Sequence, residues 1–162
     1  MEGREHHSYW VVLFTFTVAF IFALVPVPAW LMWARPEWLA LVLVYWTIAL
    51  PHRVGIFTGL ILGLVLDVLE GAVLGQNALA LTVLGALALI LYQRMRVTSV
   101  WQQSAMVFLL VGINQLICQW IQNLQGVAAP SLLFLLPALS SALLWPVILH
   151  VLRLLRRYYQ VN

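Results

Sequence analysis

The chain has 162 residues, 64% hydrophobic and 8% charged, with a mean hydropathy of +1.01. Soluble domains carry about 25% charged residues, so this composition excludes a water-soluble globular domain and indicates an integral membrane protein. The net charge of +3 comes from eight basic residues, all arginines in the breaks between apolar runs, and we read no nucleic-acid surface from them.

Residues 1–9 carry Glu2, Arg4, Glu5, His6 and His7. The apolar run from Trp10 to Val25 has no small-residue cleavage site after it, so it reads as a first membrane anchor that is kept and not as a removable signal peptide. Ala19 and Ala23 give it a short stripe of small residues. After the break VPVPAWLMWARPE comes Trp38 to Leu50, whose length of about 20 Å falls short of a hydrocarbon core of ~30 Å. It is either re-entrant or a helix that starts with Pro36 in its first turn and extends toward Pro51 and His52. The tight turn Pro51-His52-Arg53 follows, with Arg53 as a topology determinant facing lipid phosphate. The remaining spans are read at Val54 to Leu74, Gln76 to Tyr92, Val100 to Asn123 and Ser131 to Leu152, separated by the Gly71 to Asn77 turn, QRMRVTS and QGVAAP. Each break is too short for a soluble domain, which leaves one polytopic membrane domain over residues 1–162.

Cytoplasmic loops carry the arginine excess. Six spans with the N-terminus inside put Arg4, Arg53, Arg94, Arg96, Arg153, Arg156 and Arg157 inside and only Arg35 outside. Five spans with the N-terminus outside give an equal bias by exchanging Arg4 for Arg35, so charge leaves both counts open; we favour six. Tyr9, Trp10, Tyr92, Trp101, Tyr158 and Tyr159 fall at inner ends and Trp30, Trp33, Trp38 and Trp120 at outer ends, where interfacial aromatics gather. Tyr45, Trp46 and Trp145 lie deeper and are assigned to packing between helices.

The third span holds the densest signal. Gly55, Gly59, Gly63, Asp67, Gly71 and Gly75 recur every fourth residue, although a glycine in a helix interior costs roughly 1 kcal/mol against alanine. Each step of four turns a helix about 40° past a full circle, so the small residues trace a slowly winding stripe that lets a neighbour approach, either a helix of the same bundle or one of a partner. Asp67 interrupts the stripe and Glu70 follows at i+3. An intramembrane carboxylate is a functional hypothesis by default, and Asn114, Gln115, Gln119, Gln122 and Asn123 of the fifth span are candidate partners for it. The competing readings are a structural polar cluster that fixes helix register, a polar cavity or partner site, and proton or ion coupling. Cys118 reads as a small buried hydrophobe. The scattered His6, His7, His52 and His150 make no metal site, and no catalytic spacing or phosphate-binding loop is present, so no enzyme and no cofactor are expected.

The stretch PHRVGIFTGLILGLVLDVLEGAVLGQNAL resembles the signature region of the bacterial rod shape-determining MreD family. RPEWLALVLVYWTIAL before it, the WQQ that opens the fifth span and the LLWP of the last span agree, so the resemblance covers essentially the whole length. It implies a non-enzymatic, multi-pass protein of the bacterial inner membrane. Such a scaffold works with MreC, MreB, the RodA glycosyltransferase and its penicillin-binding partner in lateral-wall peptidoglycan synthesis. The implied fold is an all-α bundle of six transmembrane helices similar to the substrate-binding subunits of energy-coupling-factor vitamin transporters, with both termini cytoplasmic. Ala19 and Ala23 resemble the coupling motif of those subunits only faintly, and their vitamin-site residues do not map onto this chain. On this reading Gly55, Gly59, Gly63, Gly71 and Gly75 serve helix or partner packing, Asp67, Glu70, Gln115 and Gln119 form a polar anchor or cavity, and Pro51 and Arg53 shape the cytoplasmic turn. The alternative is a small-molecule-binding or transport subunit of the vitamin-transporter type.

Overall fold

The computed structural model describes residues 2–127 and 131–161, with side chains from Ser8 onward. The end of the expected QGVAAP break, and the side chains of Glu2, Arg4, Glu5, His6 and His7, lie outside the described residues. Among the described residues six α-helices follow one another: α1 Glu2–Leu24, α2 Trp38–Ala49, α3 Ile56–Glu70, α4 Gln76–Val97, α5 Val100–Leu124 and α6 Leu136–Tyr158. Short 3-10 turns at Ala29–Ala34 and Leu132–Leu135 lead into α2 and α6, and no strand occurs among the described residues. Gln76–Val97, Val100–Leu124 and Leu132–Tyr158 are long and apolar enough to cross a membrane, with Ser8–Leu24 a shorter apolar helix. The chain is an all-α membrane protein.

α2 is the centre of the bundle. A helix that is apolar on every side must be buried, and ten of the twelve residues of α2 are, against α1, α4 and α6 with lesser contacts to α3 and α5. Trp46 is fully buried, and its Nε1 donates to Thr15 Oγ1 of α1 at 2.8 Å. The expected extension of this helix does not occur. It starts at Trp38, so Pro36 stays outside the first turn, and it ends at Ala49 because Leu50, which precedes Pro51, is pushed out of helical geometry (φ −131°, ψ 65°).

Short central helices leave backbone groups exposed to an apolar surrounding, where an unpaired polar group costs several kcal/mol. Side chains from elsewhere in the chain close them, and the end of α1 is closed in a similar way. Arg96 of α4 donates to Ile48 O at 2.9 Å and Ala49 O at 3.3 Å at the end of α2. Ser141 of α6 accepts from Glu37 N at 2.9 Å at its start. Arg35 donates to Phe22 O and Ala23 O at the end of α1. Buried Trp145 of α6 donates to Gln103 Oε1 of α5 at 3.2 Å, and Gln103 donates on to Met95 O at 2.7 Å.

α3 and α4 form the closest helix pair. A methyl added at Gly63 would lie 2.5 Å from Ala78 N, one at Gly59 2.9 Å from the Leu81 carbonyl carbon, and one at Gly85 of α4 2.8 Å from Gly55 O. Backbone therefore meets backbone, and the stripe faces a helix of the same chain. The expected ladder is shorter than its spacing suggested. α3 ends at Glu70, well before Leu74. Gly71 (φ 65°) and Gly75 (φ 103°) are turn residues in the left-handed region with nothing within 4 Å of an added methyl. Their periodicity with the packing glycines is a coincidence of spacing; they are glycines because the turn needs positive φ. Gly55 precedes α3, and a methyl added to it would run into the flexible side chain of Leu89, while its carbonyl lies against Gly85.

Candidate functional site

Asp67 is 1% exposed in the last turn of α3. Its Oδ2 accepts from Gly75 N at 2.8 Å and Ala78 N at 3.2 Å, and its Oδ1 accepts from Asn77 N at 2.8 Å. Asn77 and Ala78 open α4, whose N-terminal amides have no partner inside their own helix. The residue at the capping position is Gly75, which has no side chain to offer. Asp67 supplies the missing carboxylate from the helix before, and its negative charge sits on the positive end of the α4 dipole. The burial of this carboxyl is offset by three charge-assisted hydrogen bonds.

The rest of the polar set lies around this turn. Glu70 accepts from Asn77 Nδ2 at 3.3 Å, and Cys118 of α5 stands 3.7 Å from Asn77 Oδ1. Gln115, expected beside Asp67, instead donates to Glu37 Oε1 from across the bundle. Gln119 is also not in the Asp67 hydrogen-bond set; it lines a separate recess with Trp120, Asn123 and Ser131. Asn114 is buried, and its Oδ1 has no hydrogen-bond partner. Glu37, in the linker ahead of α2, has its pKa pushed up to about 7, chiefly by burial and further by Glu70, against the opposing effects of the Gln115 hydrogen bond and Arg35. Chemically this end of the bundle is a set of fixed acceptors with three carboxyl groups. Among the described residues no three His, Cys, Asp or Glu side chains could jointly hold a metal ion.

Pro51 and Arg53 lie at the opposite end, in the turn between α2 and α3, with the Arg53 guanidinium 5.1 Å from the Tyr9 ring centroid. Sequence reasoning missed Glu37, Arg35, Arg96, Asn77, Ser141 and Gly85. Gly85 was detectable, because Ala78, Thr82 and Gly85 make a small-residue stripe at helical spacing that complements the one on α3. Arg35, Arg96 and Ser141 were not, since each acts on a helix end distant in sequence.

Residues 4–155 match the family described as rod shape-determining protein MreD. The chain is 34% identical over 162 residues to the rod shape-determining protein MreD of Haemophilus influenzae, covering 100% of both sequences. No solved structure matches significantly.

Proposed function

This chain belongs to the rod shape-determining MreD family, and from that premise we propose that it is a non-enzymatic scaffold of the cell-elongation machinery in the bacterial inner membrane. It binds MreC and the lateral-wall peptidoglycan synthase complex of RodA and its penicillin-binding partner, and works with MreB. The whole chain is one polytopic domain of six spans with both termini cytoplasmic, similar in fold to the substrate-binding subunits of energy-coupling-factor transporters.

The observation that carries this reading is the family match over nearly the entire chain, and the packing supports a division of labour consistent with it. Gly59 and Gly63 are turned inward onto α4, so a partner helix must use faces that the bundle leaves open. The far side of α3, with Phe57 and Val68 largely exposed, is such a face. Asp67 and Glu70 act as the polar anchor that fixes the α3 to α4 turn, and Arg53 holds the turn at the arginine-rich end. The transport alternative rests on the transporter-like fold and on a polar set running from Asp67 to Gln115. That hydrogen-bonded set does not form, since Asp67 is bound by backbone amides and Gln115 by Glu37.

A photo-crosslinking residue placed at Phe57, Val65 or Val68 in growing cells tests the scaffold. Capture of MreC or a synthase subunit, together with rounding of cells when Phe57 and Val68 are both replaced by arginine in a protein that still reaches the membrane, is the expected result. Crosslinks to lipid alone from these and all other outward helix faces, with rods unchanged, would overturn it.

A further inference from the structure

The last turns of α6 carry Arg153, Arg156 and Arg157 at i, i+3 and i+4 spacing, where like charges share one side of a helix and repel. Beyond Tyr158 the chain folds back on them. Gln160 takes a φ of 49°, in the left-handed region that favours glycine. Gln160 N donates to Arg157 O at 3.3 Å and Val161 N to Arg156 O at 3.1 Å, and Val161 is buried. The turn closes a recess of about 470 Å³ lined by Arg153, Arg156, Arg157, Gln160 and Val161. Arg156 is its anchored member: Nε donates to Val161 O at 3.1 Å, and with Arg153 it stands near the Tyr45 hydroxyl of α2. Arg153 and Arg157 are exposed and make no side-chain hydrogen bond or ion pair among the described residues. A helix C-terminus supplies roughly −0.5 of an elementary charge against these three positive ones. The acids whose side chains are described, Glu37, Asp67 and Glu70, stand at the opposite end of the bundle.

We propose that this recess binds the phosphate of one anionic glycerophospholipid from the leaflet on the arginine-rich side, with Arg153 and Arg157 donating to its oxygens beside Arg156 and Gln160. Depth and surface select this occupant. Counted from Leu136, the axis of α6 reaches Arg153 after about 26 Å and Arg157 after about 32 Å, so the recess opens where a hydrocarbon core of ~30 Å gives way to headgroups. Leu143, Val147, Val151 and Leu154, on the outward side of α6 that leads to it, are exposed and apolar, a surface for acyl chains. Tyr158 and Tyr159, whose rings meet edge to face, mark the interface at the same level. A guanidinium fork suits a phosphodiester, which accepts two parallel N–H bonds. Dissolved phosphate shares that chemistry but gains nothing from the apolar side of the helix.

The site needs no protein partner, so the purified full chain tests it. Native mass spectrometry with phosphatidylglycerol should show one retained lipid, bound more strongly than zwitterionic phosphatidylethanolamine and not displaced by inorganic phosphate. Phosphatidylglycerol with a photoactivatable group next to its phosphate should label the segment 153–161 on peptide mapping. Arg153→Gln and Arg157→Gln should each lower retention roughly five-fold, the scale of one basic side chain's attraction to an anionic headgroup. Arg94→Gln, which removes an exposed arginine at the same end but outside the recess, should leave it unchanged. Arg153→Lys combined with Arg157→Lys keeps the net charge and gives up the fork, so this variant should retain less lipid than the parent. Replacing Glu2 and Glu5 together by glutamine should leave retention as it is. Equal retention in the parent and the two glutamine variants, an equal loss in Arg94→Gln, full retention in the lysine variant, a gain on removal of Glu2 and Glu5, displacement by inorganic phosphate, or label spread evenly around the bundle would each overturn the proposal.

Discussion

Asp67 belongs to α3 by sequence and to α4 by hydrogen bonding, and its behaviour follows from what its carboxylate must satisfy. Asp67→Asn keeps the shape but gives up the charge and one acceptor oxygen, which should lower stability by about 2–3 kcal/mol. Asp67→Ala, which leaves Gly75, Asn77 and Ala78 amides without an acceptor, should cost more. Thermal unfolding in detergent followed by tryptophan fluorescence measures both, and an Asp67→Asn protein as stable as the parent would mean that the cap contributes nothing. Glu37 makes a prediction of the other sign. Its folded pKa, raised from 4.5 to about 7, favours the protonated form in the bundle. Its stabilisation is present at low pH and is lost as pH rises through about 7. Glu37→Gln should therefore flatten the fall in melting temperature between about pH 5 and pH 8 and stabilise the protein at the upper end. A parent protein whose melting temperature rises over that interval in a Glu37-dependent manner would contradict it.

At the scale of elements, two kinds of glycine that look alike in the sequence should separate on mutation. Gly63→Ala drives a methyl into the backbone of Ala78, and overpacking a rigid contact costs typically 1–3 kcal/mol. Gly71→Ala meets open space but must hold φ near 65°, a strain of about 1–2 kcal/mol confined to one residue. Hydrogen exchange should tell them apart: Gly63→Ala and Gly59→Ala are expected to loosen amides along both α3 and α4, Gly71→Ala only those of the turn. Exchange that rises equally in all three variants would remove the distinction. The short central helix depends on its neighbours in a similar way. Arg96→Gln takes the cation from the end of α2 and should cost about 0.5–1 kcal/mol, with the loss read at the amides of the α2 to α3 turn.

At the scale of the whole molecule, the two ends of the bundle differ in chemistry, with Glu37, Asp67, Glu70 and Gln115 toward one and Arg53, Arg94, Arg96, Arg153, Arg156 and Arg157 toward the other. If the arginine-rich end is cytoplasmic, as we propose from the charge bias, tags at both termini should be reached by reagents only after the membrane is permeabilised; a terminus labelled in intact spheroplasts would reverse the six-span reading. Composition alone determined that the chain lives in a membrane, because a surface with so few charges cannot face water. The sequence likewise determined most of the helices, the buried tryptophans 46 and 145, and the family, through the run from Pro51 to Leu79; it marked Gly59 and Gly63 as a small-residue stripe without saying whether a helix of the bundle or of a partner lies against it. Local apolarity, proline and helical periodicity are properties that neighbouring residues carry together. Only the tertiary structure decided that Gly71 and Gly75 shape a turn, that Asp67 caps α4, that Gln115 reaches Glu37 and that Arg35 and Arg96 close helices far from them in the chain. A helix end needs a partner group at hydrogen-bond distance, and which residue provides it depends on how the helices cross, which spacing along one helix does not encode.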